Sequence, residues 1–300
     1  MRKFIAGLAV FVLSVGFLSS RALAGPPFNN LEGVGGVAFN PLAWLADSSG
    51  DNSHLKSGDT DILGKPRFGA WYVNLNQNQP NVDWTSWGLA ETFLDRLELS
   101  YGYETAAFKA SALPTVYKHD LGAKLLLVPE NGYGVSGLPA LSVGAIYKST
   151  TFPQEITQGG LGVTNSSSTG TDFYAVVTKL IGGIPTPILI SVGGLDTSEL
   201  VTGVLGFDNQ RQITGFGNID VILPENIVVG FEYKEGAQFT DAAKFKNADY
   251  WDAHLAWIAN SNLTLIAAFA DTGAPLQNDQ AAGDSIGLGN GVVISSQYAF

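Results

Sequence analysis

The chain has 300 residues, no cysteine and a net charge of −11 at neutral pH. This acidic balance argues against a nucleic-acid partner, and the lack of cysteine excludes disulfides, thiol catalysis and cysteine metal sites. Charged residues make up only 14% of the chain and hydrophobic residues 45%, whereas an ordinary globular domain is about 25% charged. A chain so poor in charge is a candidate for contact with lipid.

Residues 1–24 predict a secretory signal peptide. A short basic region precedes the apolar run Phe4–Leu18, and small residues favour cleavage between Ala24 and Gly25. The alternative is an N-terminal membrane anchor, but the apolar run is shorter than the roughly 20 residues of a helical span. We therefore expect export of the remaining chain.

Residues 25–64 form a glycine-rich N-terminal segment that the sequence leaves unassigned. The stretch Leu31–Ala46 is apolar and rich in glycine, which suits either a plug or a first strand. No later stretch of about 20 residues is free of breakers, so no helical span is expected. Besides helices, closed β-barrels are the structures in which every backbone N–H and C=O group has a hydrogen-bond partner in lipid. We predict an antiparallel transmembrane β-barrel over residues 65–300.

The strands follow from alternation of apolar and polar residues with a period of two. About 12 strands are predicted, within a range of 10 to 14. In chain order they are Lys65–Leu75, Trp84–Phe93, Arg96–Tyr103, Leu121–Val128, Leu141–Lys148, Asp172–Leu180, Pro187–Leu195, Gly215–Leu223, Ile227–Lys234, Tyr250–Ile258, Leu263–Asp271 and Gly291–Phe300.

The predicted connections alternate in length along the chain. Tight turns are expected at 94–95, 224–226 and 260–262, and long polar connections at 150–170, 236–248 and 272–290. Short periplasmic turns and long extracellular loops are typical of outer-membrane barrels. The connection 129–139 is an exception, because it is long on the side where short turns are expected.

The alternation also predicts which side chains face the lumen and which face lipid. A charge on the lipid face costs up to about 2–4 kcal/mol for Arg or Lys at the midplane, so charged residues should point inward. The predicted lumen-facing residues are Arg96, Glu98, Lys124, Lys148, Asp220, Glu232, Lys234, Asp252 and His254. The predicted aromatic girdle comprises Tyr101, Tyr103, Trp251 and Trp257.

The C-terminal residues Tyr298 and Phe300 lie on the same face of the last predicted strand. They resemble the C-terminal sorting signal of outer-membrane barrels, which the barrel-assembly machinery reads. This resemblance implies that machinery as a partner.

The chain also resembles a proteobacterial family known as domain of unknown function 3034. The resemblance rests on the stretches 94–101, 138–144 with 147–148, 170–174 with 178–179, 203–207, 229–233, and 250–252 with 256–257. It implies a barrel and no established activity.

The sequence offers little catalytic or metal-binding chemistry. His54 and His119 fall in predicted loops without a partner at metal-ligand spacing, and we predict no catalytic, cofactor or metal residue. His254 and Asp252 share one face of a predicted strand, where they could begin a catalytic pair for a serine. A structural role inside the barrel is the main expectation for both.

We therefore expect a narrow passive channel or transporter for a small solute in the outer membrane of a Gram-negative bacterium. Outer-membrane lipid and lipopolysaccharide are the expected surroundings. The main alternative is a structural or surface-interaction barrel that does not conduct, and a lipid-modifying enzyme is a third hypothesis. If the barrel is incorrect, the rival fold is a soluble periplasmic β-sandwich.

Overall fold

The structure is a computed structural model that describes residues 28–46, 63–76, 81–109, 112–159, 161, 163, 165–237, 246–274 and 285–300. Twelve antiparallel strands form a closed barrel, which confirms the predicted fold class. They are β1 (Arg67–Leu75), β2 (Val82–Phe93), β3 (Leu97–Phe108), β4 (Val116–Val128), β5 (Ala140–Thr150), β6 (Thr169–Ile181), β7 (Ile188–Glu199), β8 (Phe207–Leu223), β9 (Ile227–Lys234), β11 (Tyr250–Ile258), β12 (Leu263–Asp271) and β14 (Asn290–Ala299). The signal-peptide prediction and His54 lie outside the described residues.

Two short strands, one α-helix and two 3-10 helices (Gly132–Gly134 and Pro224–Asn226) lie outside the barrel sheet in the described residues. Strands β10 (Lys246–Asn247) and β13 (Ser285–Ile286) pair in parallel as a separate two-stranded sheet. Helix α1 (Gln154–Gly159) lies in the connection between β5 and β6. Among the described residues, no helix is both long enough and apolar enough to cross a membrane.

Each strand pairs with its sequence neighbour in the barrel, and the pairing of β1 with β14 closes the ring. The closing register runs from Arg67 opposite Ala299 to Asn74 opposite Val292. Closure leaves the barrel sheet without an unpaired edge, which is the requirement for a sheet that spans lipid.

The two faces of the strands differ in chemistry as the alternation predicts. On β3, Glu98 and Glu104 are buried inside, while Leu97 and Leu99 are exposed on the outer wall. The outer wall is apolar on other strands too, with exposed Leu121, Val143 and Phe173 among many. A one-residue slip in register would exchange these faces, so the pattern fixes the register.

Turn chemistry gives the barrel two unlike ends. Leu94 and Asp95 both have positive φ, as do Glu225 and Asn226, which is the backbone of tight hairpin turns between twisted strands. We call this end, where β1 begins and β14 ends, the turn end. The opposite end carries the long connections that contain α1, β10 and β13, and we call it the loop end.

Residues 28–46, which we call the inner segment, lie inside the barrel. The segment has isolated bridges between Asn29 and Gly35 and between Gly36 and Pro41. Nearly all of its residues are buried. Of the two possibilities that the sequence left open, this placement corresponds to a plug.

Two predicted positions differ from the structure. Strand β4 begins at Val116, so His119 lies on a strand and not in a loop. Inward-facing Lys118 and Asp120 gave that stretch the polarity of a loop. Arg96 lies in the turn before β3, where it donates hydrogen bonds to the carbonyls of Leu126 and Leu127 at 3.3 and 3.5 Å. Turn geometry therefore places Arg96 at the rim and not in the lumen.

Candidate functional site: a polar lumen filled by the inner segment

The lumen contains the remaining residues that were predicted to face inward. All eight are at most 5% exposed, and they lie on β3, β4 and β5 and on β8, β9 and β11. They are Glu98, Lys124, Lys148, Asp220, Glu232, Lys234, Asp252 and His254. Buried charges of this kind need partners, because desolvation costs several kcal/mol for each ion.

One network of ion pairs centres on Lys118 of β4. Its Nζ lies 2.7 Å from Oε1 of Glu104, 3.2 Å from Oδ1 of Asp120 and 3.4 Å from Oε1 of Glu32. These three carboxylates are close enough together to be a candidate metal group. The ammonium group of Lys118 contacts all three, and it supplies the positive charge that a metal ion would bring.

A second network centres on Lys148 of β5 and is joined to the first by Glu32. The Nζ of Lys148 lies 2.6 Å from Oδ2 of Asp172 and 2.6 Å from Oε2 of Glu199, and it also pairs with Glu32. Lys234 pairs with the other oxygen of Glu199 at 2.7 Å. The two networks tie β3 to β9 through the lumen.

Glu32 is the only charged residue of the inner segment, and it sits between these lysines. Burial opposes its ionisation, but Lys148, Lys118 and Lys234 outweigh that effect and hold the pKa of Glu32 below its ordinary value. The negative charge of the inner segment therefore lies beside three lysine ammonium groups of the wall.

The backbone of the inner segment is bound by Glu98 and Lys124, which face each other on β3 and β4. Glu98 accepts hydrogen bonds from the N–H groups of Gly35 at 2.9 Å and Ala46 at 2.6 Å. Lys124 donates to the carbonyls of Gly35 at 2.9 Å and Trp44 at 2.8 Å. This one ion pair therefore binds both N–H groups and carbonyl groups of the segment.

Glu232 binds the segment from the far side of the barrel. Its carboxylate accepts hydrogen bonds from three consecutive N–H groups, those of Ala38, Phe39 and Asn40, at 3.1, 2.9 and 2.7 Å. In the ring order, β9 and β3 are six strands apart in a barrel of twelve. Glu232 and Glu98 therefore grip the segment from opposite walls.

Neutral side chains complete the attachment. Gln297 and Asn29 exchange hydrogen bonds at 2.9 and 3.2 Å, so the last barrel strand also holds the segment. Ala43 donates to Thr178 at 2.8 Å and accepts from Ser142 at 2.6 Å. The segment is thus fixed to the wall mainly through its backbone.

Glycines allow the segment to approach the wall. A Cβ on Gly88 or Gly102 would collide with backbone atoms of Gly33 or Glu32. Gly33 itself has φ of +81°, a conformation that glycine adopts without steric cost. The contact between backbone and backbone at this point requires glycine on both sides.

His254 bridges two carboxylates on β11 and β8, the strands that flank β9. Its Nδ1 lies 2.7 Å from Oδ1 of Asp252, and its Nε2 lies 2.7 Å from Oδ1 of Asp220. Both ring nitrogens are therefore engaged, and the arrangement ties β11 to β8.

The loop end is covered by an apolar layer. Leu200, Val201, Val204 and Leu205 in the connection between β7 and β8 are buried, and they belong to the same hydrophobic cluster as Phe108 at the end of β3. This cluster includes Phe28, Leu31 and Phe39 of the inner segment. The lumen is therefore filled from both ends.

The predicted girdle residues lie on the outer wall. Tyr101 and Tyr103 contact Trp87, and a hydrogen bond of 2.7 Å joins the Tyr101 hydroxyl to Nδ1 of His119. Trp251 packs between Phe231 and Phe269, with ring centroids 6.1 and 5.8 Å away. Trp257, Tyr298 and Phe300 are exposed large side chains of the same wall.

Sequence reasoning missed six lumen residues of the two networks, namely Glu32, Glu104, Lys118, Asp120, Asp172 and Glu199. Glu104, Lys118, Asp120 and Glu199 continue the inward alternation of a strand beyond its predicted end and could have been found by extending it to the loop end. Asp172 begins a predicted strand whose two faces are both fairly apolar, so its direction was not assigned. Glu32 has no such signal, because its position depends on contacts with distant strands.

The fold and the lumen define a class of protein: a transmembrane β-barrel whose polar interior is filled by its own N-terminal segment. The chain belongs to the family described as Protein of unknown function (DUF3034), which matches residues 26–286; this confirms the predicted resemblance. No curated protein matches the sequence.

Solved structures with a similar arrangement are outer-membrane proteins. Omp33 of Acinetobacter baumannii is 9% identical with a TM-score of 0.42, covering 80% of this chain and 99% of that chain. The KdgM porin is 11% identical with a TM-score of 0.47, covering 78% of this chain and 99% of that chain. The COG4313 outer membrane channel from Pseudomonas putida F1 is 12% identical with a TM-score of 0.47, covering 81% of this chain and 97% of that chain.

Proposed function

We propose that this protein is an outer-membrane channel for a small solute, held closed by its inner segment. The observation that carries the proposal is the attachment of the segment through hydrogen bonds to Glu98 and Glu232 on opposite walls. A barrel that needed only to be filled could use apolar side chains, since replacing buried ion pairs by packed apolar residues is often neutral or stabilising. A polar lumen wall that is covered by a segment outside the barrel sheet is suited to a passage that opens.

The outer wall supports placement in a bilayer. Apolar and aromatic side chains are exposed there on many strands, and an outward-facing apolar band around a closed barrel is the surface that lipid covers. In this proposal the turn end faces the periplasm and the loop end faces outward. Outer-membrane lipid and lipopolysaccharide surround the wall, and the assembly machinery reads Tyr298 and Phe300.

The proposed function involves no catalysis. His254 was the candidate base, but carboxylates occupy both of its ring nitrogens. A general base needs a nitrogen within reach of the hydroxyl that it activates. The arrangement therefore supports a structural role for this residue.

A second candidate function is a filled barrel that does not conduct and acts through its surface loops. The apolar cover formed around Val201 and Leu205 at the loop end favours it. This cover is independent of the polar attachment of the inner segment, so the two candidates predict different behaviour when that attachment is weakened.

Single-channel recording in planar bilayers tests the proposal. The variant Gly88→Ala/Gly102→Ala pushes the segment away from the wall, and we expect it to open more often and for longer than the unaltered protein. Gly194→Ala is the matched control, because a Cβ there lies 3.8 Å from its nearest neighbour. A further variant also replaces residues 200–206 by a short polar turn.

Two results separate the candidates. Conductance that rises in the Gly88→Ala/Gly102→Ala variant, with or without the shortened cover, supports the channel. Folded protein that shows no conductance in any variant, including the one with the shortened cover, refutes it and supports the non-conducting barrel.

A further inference from the structure

The inner segment presents hydrogen-bond donors to two lumen carboxylates. Five backbone N–H groups do this: those of Gly35 and Ala46 toward Glu98, and those of residues 38–40 toward Glu232. The three donors on Glu232 converge on both of its oxygens. Ammonium and guanidinium groups present several N–H donors to a carboxylate in the same way.

The surroundings of Glu232 are acidic. Asp252 is its direct neighbour on the adjacent strand, and Asp220 lies across the His254 bridge. Lys234 on the same strand is paired with Glu199. When the inner segment moves away, Glu232 therefore loses its donors, and the cationic Lys234 and His254 of the wall are already paired with other carboxylates.

The net charge of the lumen wall is negative, like the charge around Glu232. Among the described inward-facing strand residues, carboxylates outnumber cationic groups. The carboxylates are Glu98, Glu104, Asp120, Asp172, Glu199, Asp220, Glu232 and Asp252, and the cations are Arg67, Lys118, Lys124, Lys148, Lys234 and His254. Passages lined by one sign of charge concentrate ions of the opposite sign, and acidic linings select cations.

We propose that the opened lumen recognises small solutes with a cationic N–H group, an amine or a guanidine, and that Glu232 binds that group. This inference rests on the proposed channel. In the closed state the inner segment occupies this carboxylate and competes directly with the solute. Binding of such a solute would shift the segment toward its displaced position, because the two cannot occupy the carboxylate together.

Selectivity recordings in bilayers test the inference. In the full chain carrying Gly88→Ala/Gly102→Ala, a KCl gradient should give a reversal potential that reports preference for K⁺ over Cl⁻. The probe 1,4-diaminobutane should reduce the K⁺ current by binding, and glutarate of similar length should not. Addition of Glu232→Gln should weaken the block by about tenfold or more, as expected for loss of a charged hydrogen-bond acceptor.

Opposite effects of one substitution distinguish recognition from anchoring. In the otherwise unaltered protein, Glu232→Gln should raise the open probability, because it loosens the segment, and lower the cation preference. Asp196→Asn is the control, because Asp196 pairs with Arg211 on the outer wall. It should change neither quantity.

The outcomes separate this inference from the proposed function. No conductance in any variant refutes the channel, and the inference fails with it. Conductance that is unselective or anion-selective refutes the inference alone. A Glu232→Gln variant that opens more often with unchanged selectivity and block would make Glu232 an anchor only, and would also refute it.

Discussion

Glu98 and Lys124 lie opposite each other on β3 and β4, with Nζ 3.0 Å from Oε2, and each also binds the backbone of the inner segment. The segment therefore provides hydrogen-bond partners for both members of the pair, and the pair holds the segment in place. The relationship couples the wall at β3 and β4 to the inner segment.

Lys124→Met should lower the apparent free energy of unfolding by roughly 3–5 kcal/mol, because it leaves the Glu98 carboxylate buried without its cation. The urea dependence of heat-modifiable gel mobility measures this change. Lys109→Met is the control, since Lys109 is exposed where it pairs with Asp83, and it should cost at most about 1 kcal/mol. Equal losses in the two variants would contradict the prediction.

Gly102→Ala should expose the inner segment to proteolysis. The added Cβ meets the backbone of Glu32, so displacement of the segment is the simplest relief. A protease that cleaves after glutamate should then cut at Glu32 in the folded variant and much more slowly in the unaltered protein, as mass spectrometry of the fragments would show. Gly194→Ala should behave like the unaltered protein, and equal rates in all three proteins would refute the displacement.

The contribution of Glu32 to closure should be insensitive to pH between 8 and 5. The pKa of Glu32 is held below its ordinary value of 4.5, so this contribution is complete above that value and is lost only as the pH falls through the lowered pKa. The groups around it are Lys118, Lys148, Lys234, Glu104, Asp120, Asp172 and Glu199. The difference in open probability between the unaltered protein and Glu32→Gln should therefore stay constant from pH 8 to 5 and shrink only at the acidic end.

Glu32→Gln is the control for that pH dependence. It should raise the open probability at neutral pH, because Lys118 and Lys148 lose a shared charged partner. It should also flatten the acidic rise that remains in the unaltered protein. Opening of the unaltered protein between pH 7 and 5 would show that another group controls closure.

Trp251→Ala should destabilise the barrel more than Trp257→Ala. Trp251 packs between Phe231 and Phe269, and each aromatic pair is worth about 0.5–1.5 kcal/mol beyond its buried area. Trp257 has no ring contact of this kind among the described residues, and it is 49% exposed. Unfolding in lipid vesicles, followed by gel mobility, would show the order, and the reverse order would count against the packing argument.

Phe300→Ser should slow assembly in cells without changing the finished barrel. The Phe300 side chain is exposed and its ring contacts Tyr298, so little packing is lost. The fraction of chain recovered in the outer membrane during a pulse-chase experiment should fall, while protein refolded in detergent should keep its heat-modifiable mobility. Ser296→Ala, on the same face, is the control, and an unchanged rate for Phe300→Ser would remove the proposed sorting role.

The sequence predicted the barrel because each strand alternates between two unlike environments. The charged inward position of Glu98 and the apolar outward position of Leu99 can be recognised without knowing any neighbour. The start of β4 was missed, because Lys118 and Asp120 are inward residues that resemble a polar loop when their partners are unknown. Ion pairs are visible only once the strands lie side by side.

The inner segment was the least predictable part. Its glycines could indicate a plug or a strand, and local pattern does not distinguish a backbone that binds Glu98 from one that pairs with a strand. Glu32 joins lysines that lie 86 and 116 residues away in the chain. Contacts at such separations leave no periodic signal in a single sequence.

The closing pair β1–β14 has a consequence for the order of assembly. The inner segment comes before β1 in the chain, and it contacts Trp71 of β1 and Gln297 of β14 at the two sides of that seam. If the seam closes last, the segment is wrapped by the growing sheet and never has to be threaded. A barrel that closed before the segment was in place would leave Glu98 and Glu232 without their backbone donors, so the seam links closure of the wall to filling of the lumen.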